Sequence, residues 1–172
     1  MLIGEDMNET QYKAKAAKIK LLLTDVDGVL TDNGVYYGES GEVLKRFSIR
    51  DGMGVERLRK LCGIDTGIVT GELSPSVSRR AEKLQITQLH LGVKDKLSLL
   101  ATVMAGTGLG WAELAFIGDD VNDLQVLEKC GLSACPADAM AAVSGIVHYR
   151  CVAKGGYGAF REFAEWLISL RS

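Results

Sequence analysis

The stretch Leu21-Leu22-Leu23-Thr24-Asp25-Val26-Asp27-Gly28 joins an apolar run to two acidic residues and a glycine. A short apolar run bounded by turn-forming residues predicts a buried strand, with the acidic residues at its carboxyl end. Two further apolar runs end in the same way, at Thr70-Gly71 and at Gly118-Asp119-Asp120-Val121-Asn122-Asp123. Residues just beyond the carboxyl ends of parallel strands meet in one crevice, so the three segments are predicted to form one acidic site.

The rest of the chain alternates predicted strands and helices. This alternation is typical of an α/β fold, here a three-layer, Rossmann-like parallel sheet. A helix that begins with Ser74 and Pro75 has a capping residue followed by proline in the first turn. The other predicted helices cover residues 53–61, 94–104, 122–129 and 157–170, and short strands are expected at 88–91, 132–135 and 146–148.

One segment departs from this alternation. Two β-prone runs flank Gly38-Glu39-Ser40-Gly41, which predicts a β-hairpin over residues 34–49, inserted directly after the first strand. A hairpin with several apolar and aromatic side chains is marginal alone, so it must pack against something. Two alternatives stay open: its own domain or another subunit.

Length and composition bound the remaining possibilities. With 172 residues and 47% apolar content, the chain is predicted to form one domain over 1–172, with an N-terminal lead (1–18) and a C-terminal tail and helix (153–172). The net charge of −2, without a basic stripe, argues against nucleic acid. The sequence shows no long apolar segment that would predict a signal peptide or a membrane span, so a cytoplasmic location is expected. Four cysteines without a Cys-x-x-Cys pair do not predict a zinc site.

Asp25 and Asp27 are two residues apart, so on an extended strand their carboxylates share one side. Two carboxylates that close repel each other unless a cation or a proton lies between them, and a hard divalent ion meets that need. An oxygen-only ligand set, completed by the later acidic cluster, suits Mg²⁺. Calcium-binding loops of the EF-hand kind also begin with Asp-x-Asp-Gly. Counted from Asp25, however, their ligand positions 5 and 12 hold Val29 and Tyr36, so two of the required oxygen ligands are missing.

A phosphoryl group bound beside carboxylates needs hydrogen-bond donors and positive charge. Thr70 and the backbone of Gly71 could supply the donors, and Lys96, near the start of a predicted helix, could supply the charge. The ordered series Asp-x-Asp, Thr, Lys, Gly-Asp-Asp-x-Asn-Asp resembles that of the haloacid dehalogenase superfamily of phosphohydrolases. The resemblance runs from Leu21 to Glu165.

This resemblance implies roles for the motif residues. Asp25 matches the nucleophile that forms an aspartyl-phosphate, and Asp27 matches the general acid and base. Thr70 and Lys96 match the phosphate-binding pair. The implied ligands of Mg²⁺ are Asp25, the backbone carbonyl of Asp27, and Asp119. Residues that would orient the metal waters and the lysine are Asp120, Asn122 and Asp123.

Larger members of the superfamily carry a cap domain, whereas this chain has only the hairpin. It is similar to the small 3-deoxy-D-manno-octulosonate 8-phosphate phosphatases in Asp25-Val-Asp-Gly-Val-Leu-Thr-Asp32, Arg50-Asp51-Gly52, Gly92-Val-Lys-Asp-Lys96 and residues 155–162. The resemblance implies an enzyme of lipopolysaccharide biosynthesis. It also implies a homotetramer that is assembled by the hairpins, in which the Gly-rich tail reaches toward an adjacent active site.

A second resemblance concerns the substrate. Many octulosonate phosphatases have Arg after the Thr-Gly pair, where this chain has Glu72. In this feature the chain is similar to phosphatases that act on nine-carbon nonulosonate 9-phosphates, of the KDN or N-acetylneuraminate type. Glu72 could form a charged cluster with Arg80 and Lys83 at the pocket rim, where Arg80 would suit the sugar carboxylate. With Arg50, these are the candidate substrate-contacting residues.

Two rival interpretations come from other classes. A phospho-receiver domain also has an acidic metal pocket with Thr and Lys on a parallel sheet, but it needs adjacent acids after its first strand. The Asp-x-Asp spacing of Asp25 and Asp27 therefore counts against it. A non-catalytic regulatory domain would have lost catalytic residues, and here every such position is filled.

Overall fold

The computed structural model describes residues 7–172, so the first six residues of the predicted N-terminal lead lie outside the described part. The strands are β1 (Leu21–Thr24), β2 (Tyr36–Gly38), β3 (Gly41–Leu44), β4 (Asp65–Val69), β5 (Gln88–His90), β6 (Leu114–Ile117), β7 (Leu132–Cys135) and β8 (Tyr149–Arg150). The α-helices are α1 (Glu9–Ala16), α2 (Ile49–Cys62), α3 (Pro75–Lys83), α4 (Lys96–Thr107), α5 (Leu124–Lys129), α6 (Ala141–Ser144) and α7 (Ala159–Arg171).

Six strands form one parallel sheet in the order β5-β4-β1-β6-β7-β8, and β2 and β3 form the separate antiparallel hairpin. The last residue of β1, Thr24, pairs with Ile68 of β4 and with Ile117 of β6. The carboxyl ends of these three neighbouring strands are therefore level with one another. This confirms the predicted fold class, a three-layer parallel sheet with an inserted hairpin.

Helices cover both faces of the sheet. Leu22 of β1 belongs to a core cluster that contains residues of α2, α3 and α7, whereas Leu21 and Leu23 belong to a cluster with residues of α4, α5 and α6. Successive side chains of a strand point to opposite faces, so these clusters are the two interfaces of a three-layer structure. In residues 7–172, no helix is long and apolar enough to cross a membrane.

Helix boundaries follow local capping chemistry. The Ser74 side chain accepts the backbone N–H of Val77 at the start of α3, as the Ser-Pro pair predicts. The helix α2 begins earlier than the predicted residue 53, because the Ser48 side chain already accepts the N–H of Arg50. The last helix begins at Ala159 instead of 157, because Gly158 adopts a φ of 112°, outside helical geometry.

Candidate active site

Asp25 directly follows the central strand β1 and is almost completely buried, with 6% of its surface exposed. Its backbone N–H donates to the Ile117 carbonyl at 3.0 Å, which continues the β1–β6 pairing up to the acidic residue. Its Oδ1 accepts the N–H of Val26 at 2.7 Å. The backbone therefore fixes Asp25 at the sheet edge.

Lys96, the first residue of α4, reaches the same point. Its buried Nζ lies 2.7 Å from Asp25 Oδ2 and donates to Asp123 Oδ1 at 2.6 Å. The other oxygen of Asp123 accepts the backbone N–H of Asp119 at 3.1 Å. Both oxygens of Asp123 are thus engaged, which suits the predicted role of orienting the lysine.

The acidic groups carry more negative charge than Lys96 offsets. Carboxylate oxygens of Asp25, Asp119 and Asp123 all lie within 4.8 Å of one another. Burial, reinforced by the charge of Asp123, raises the pKa of Asp25, and the same causes raise the pKa of Asp119 to about 7. A hard divalent cation would relieve this repulsion, and the oxygen donors fit one. Asp123 has no exposed surface, whereas Asp25 and Asp119 are each 6% exposed, so these two are the carboxylates that could bind it.

Two residues around Asp119 were missed by the sequence analysis. Asn33 Nδ2 donates to Asp119 Oδ2 at 3.3 Å, and Gly28 lies so close that a Cβ there would stand 2.0 Å from the same oxygen. Gly28 also has a φ of 84°. The loop after β1 therefore contacts the acidic residue that follows β6. The turn signal after Asp27 could have pointed to Gly28, but no local pattern marks Asn33.

The second motif aspartate, Asp27, contacts Lys45, which lies just beyond the hairpin strand β3. The Lys45 Nζ forms an ion pair with Asp27 Oδ1, and the lysine side chain is completely buried. The sequence analysis did not single out Lys45. The hairpin was predicted from turn chemistry, which does not show where its side chains dock.

Thr70 follows β4, which pairs with β1 on the side opposite β6. Its backbone N–H donates to the His90 carbonyl at 3.0 Å, and its Oγ1 accepts the N–H of Glu72 at 3.2 Å. A pocket of about 350 Å³ opens here. Its lining includes predicted catalytic, phosphate-binding, metal-binding and neighbouring residues together: Asp25, Asp27, Asn33, Thr70, Gly71, Glu72, Asp119, Asp120, Val121 and Asn122.

The predicted cluster of Glu72 with Arg80 and Lys83 is not formed within one chain. The Arg80 guanidinium donates to the Ser48 carbonyl at 2.8 Å and packs over Gly52, where a Cβ would stand 2.6 Å from Nη2. These contacts hold Arg80 beside α2.

The other candidate substrate residues also lie apart from the pocket lining. Lys83 lines a separate pocket with Arg59 and Gln85. Arg50 is exposed in the first turn of α2. Glu72 alone of the four candidates lines the pocket beside Asp25.

The Gly-rich tail packs on the chain's own active-site loop. A Cβ at Gly155 would stand 1.9 Å from the Gly28 carbonyl oxygen, and the Gly156 N–H donates to the Val29 carbonyl at 2.9 Å. Arg46, just after the hairpin, donates to the Gly156 carbonyl at 3.0 Å. The tail thus supports the loop that carries Asp27.

Comparisons with known proteins agree with this geometry. No family model matches the sequence. The 3-deoxy-D-manno-octulosonate 8-phosphate phosphatase of Yersinia pestis is 40% identical over 154 residues, which are 90% of this chain and 82% of the relative. The enzyme of the same name from Escherichia coli K12 is 39% identical over 155 residues, with the same coverage of both chains.

Solved structures give the same result. The crystal structure of the Yersinia pestis phosphatase has a TM-score of 0.89 and 38% identity, and the match covers 94% of this chain and 86% of that one. The Moraxella catarrhalis phosphatase, in complex with magnesium ion, phosphate ion and KDO, has a TM-score of 0.89 and 33% identity. That match covers 95% of this chain and 94% of the other.

The parallel sheet and its acidic crevice, with these relatives, define a phosphatase of the haloacid dehalogenase superfamily. Such an enzyme is a phosphoric monoester hydrolase, as the motifs predicted. Within the superfamily, the chain belongs to the 3-deoxy-D-manno-octulosonate 8-phosphate phosphatase family.

Proposed function

We propose that this enzyme hydrolyses 3-deoxy-D-manno-octulosonate 8-phosphate, with Mg²⁺, through an aspartyl-phosphate on Asp25. The observation that carries the proposal is that Asp25 and Thr70 line one pocket and Lys96 Nζ lies 2.7 Å from Asp25 Oδ2, in a chain whose relatives bear this substrate in their names. A role in making lipopolysaccharide precursors follows from that substrate. We treat residues 1–172 as one hydrolase domain, because both core clusters share a single sheet.

The chain's own residues account for each bond change. A carboxylate oxygen of Asp25 attacks phosphorus while the bond from phosphorus to the sugar oxygen breaks, and Asp27 gives that oxygen its proton. Asp27 then takes a proton from the water that attacks the aspartyl-phosphate, which releases phosphate and restores Asp25. Lys96 and the Thr70 hydroxyl hold the phosphoryl oxygens throughout.

Mg²⁺, bound by Asp25, the backbone carbonyl of Asp27 and Asp119, would supply positive charge that reduces repulsion between the carboxylates and the phosphate. The magnesium and phosphate ions named in the Moraxella catarrhalis complex support this choice. Asp120 and Asn122 line the pocket beside Asp119, and we assign them to the support of the ligands.

A homotetramer built on the hairpin is part of the proposal. Its supports are the exposed side chains of Tyr36, Tyr37, Val43 and Leu44, each at least 47% exposed. Light scattering should give four times the 18.5 kDa chain mass. Tyr37→Ser with Leu44→Ser should reduce it, whereas a wild-type monomer would contradict the assembly.

The alternatives receive no support from the comparisons. The nonulosonate 9-phosphate hypothesis depends on Glu72, which does line the pocket, but its proposed partners Arg80 and Lys83 do not. A phospho-receiver or regulatory role does not agree with the family of phosphatases to which the chain belongs.

The deciding experiment measures Mg²⁺-dependent phosphate release from octulosonate 8-phosphate, nonulosonate 9-phosphates and hexose phosphates. We expect the highest kcat/KM with octulosonate 8-phosphate. Asp25→Asn should abolish turnover, and Asp65→Asn, at a 75% exposed carboxylate outside the pocket, should not. Preference for a nonulosonate would refute the substrate, and activity retained in Asp25→Asn would refute the nucleophile.

A further inference from the structure

Lys45 occupies an unusual place for a lysine at the end of an exposed hairpin. Its side chain is 0% exposed, although the preceding residues Val43 and Leu44 are 57% and 47% exposed. A buried ammonium is strongly unfavourable unless it is paired and hydrogen-bonded. Its partner in this structure is Asp27, which directly links the hairpin to the proposed general acid.

The pairing leaves the two oxygens of Asp27 in different environments. Lys45 Nζ contacts Oδ1, and the Thr31 hydroxyl lies 3.5 Å from the same atom. Within residues 7–172, no hydrogen bond reaches Oδ2, and Asp27 lines the pocket with 24% of its side chain exposed. One oxygen is therefore held by the protein, whereas the other has no hydrogen-bond partner in the described part of the chain.

Lys45 is also held by Glu42, on the hairpin strand β3. Glu42 Oε2 lies 3.7 Å from its Nζ, and Glu42 Oε1 accepts a hydrogen bond from the Ser74 hydroxyl. Ser74 is buried and caps α3, the helix that follows the Thr70 loop. Contacts thus run from Ser74, at the end of the Thr70 loop, through Glu42 and Lys45 to Asp27.

We propose that Lys45 is a positioning residue for proton transfer, and that Glu42 supports it. Lys45 fixes the Asp27 carboxylate by Oδ1 so that Oδ2 faces the leaving oxygen of the substrate. This inference rests on the proposed function, in which Asp27 is the general acid. It assigns the hairpin a task inside its own chain's active site, besides contact with other subunits.

The test varies the leaving group while the phosphoryl group stays the same. 4-Nitrophenyl phosphate releases a stable anion that needs no proton, whereas a sugar phosphate releases an alkoxide that does. Lys45→Met should lower kcat/KM for octulosonate 8-phosphate about 100-fold, the lower end of the usual contribution of general acid catalysis. With 4-nitrophenyl phosphate, kcat/KM should fall less than about 3-fold, because kcat/KM reports the first phosphoryl transfer.

Controls separate positioning from damage to the fold. Asp27→Asn should show the same dependence on the leaving group, and Lys45→Met in the Asp27→Asn background should cause no further loss. Lys60→Met, at a 74% exposed lysine on α2, should leave kcat/KM unchanged with both substrates. If Lys45→Met does not fold, Glu42→Gln provides the same test, with a smaller loss in the same direction.

The role of Lys45 would be overturned if Lys45→Met lowered kcat/KM equally with both substrates and if its loss added to the loss caused by Asp27→Asn. A wild-type enzyme without phosphatase activity, or an Asp27→Asn variant that treats both substrates alike, would instead overturn the proposed function. The two failures are therefore distinguishable.

Discussion

Asp123 Oδ1 accepts a hydrogen bond from Lys96 Nζ at 2.6 Å, and the Asp123 side chain has no exposed surface. Lys96 is also paired with Asp25, so Asp123 shares the lysine with the proposed nucleophile. This sharing keeps the ammonium from being bound to Asp25 alone.

Asp123→Asn should therefore lower kcat about 10- to 100-fold, the usual effect of losing an outer-shell partner. Without the charge of Asp123, Lys96 pairs more tightly with Asp25 and weakens it as a nucleophile. Steady-state kinetics with octulosonate 8-phosphate measure the effect, and Asp65→Asn serves as the matched control. Unchanged kcat in a folded Asp123→Asn variant would contradict this role.

Divalent cations should stabilise the fold through Asp25 and Asp119. A cation that binds only the native state adds about 2.7 kcal/mol at 100 times its dissociation constant. Mg²⁺ should therefore raise the melting temperature of the wild type, and Asp119→Asn should remove most of that rise. The prediction fails if both proteins respond equally to Mg²⁺ in thermal melts.

His148 should make stability depend on pH. Its Nδ1 accepts the backbone N–H of Ser133 at 3.1 Å, so the ring is neutral in the fold. Burial, with the nearby charge of Lys15, lowers the pKa of His148 from 6.5 to about 4. The unfolded chain therefore binds a proton first as pH falls, and the stability that the neutral ring contributes above pH 6.5 is lost between 6.5 and about 4.

The loss should be about 1–3 kcal/mol, because the ring is only partly buried and solvent reduces the full linkage value. Urea unfolding at pH 7 and pH 5 measures the larger part of it. His148→Asn should reduce the difference between the two pH values, whereas His90→Asn should leave most of it. An unchanged pH dependence in His148→Asn would assign the effect to other groups.

The contact between the tail and the loop predicts a matched pair of glycine variants. Gly155→Ala forces a Cβ to within 1.9 Å of the Gly28 carbonyl, so the loop after β1 must move. We expect a loss of about 1–3 kcal/mol in unfolding free energy, together with reduced activity. Gly106→Ala, within α4 and with open space around it, should stabilise by about 0.5–1 kcal/mol. Calorimetry and phosphatase assays compare the two, and equal stabilities would contradict the close approach.

Much of the fold could be predicted because its signals are local. Apolar runs marked the strands, and the Ser74-Pro75 pair marked a helix start, which the structure confirms. The convergence of Asp25, Thr70 and Asp119 needed only the rule that parallel strands end at one edge. The observed helix boundaries differ from the predicted ones where a single side chain or backbone angle determines the helix start, as at Ser48 and Gly158.

The parts that could not be predicted depend on docking between distant segments. Lys45 reaches Asp27 only once the end of the hairpin packs against the loop after β1, and its sequence neighbours give no sign of that contact. Arg80 shows the converse. Its spacing suggested a place beside Glu72, but its contacts with Ser48 and Gly52, far from it in sequence, direct it elsewhere.

The level ends of β4, β1 and β6 have an evolutionary consequence. Asp25 follows the strand between those that lead to Thr70 and to Asp119, so its separation from each is set by the interstrand distance of about 4.8 Å. Descendants of such a protein inherit this spacing with the backbone itself. The loops that meet the sugar can diverge without altering it, so new substrates can be acquired while the chemistry is retained.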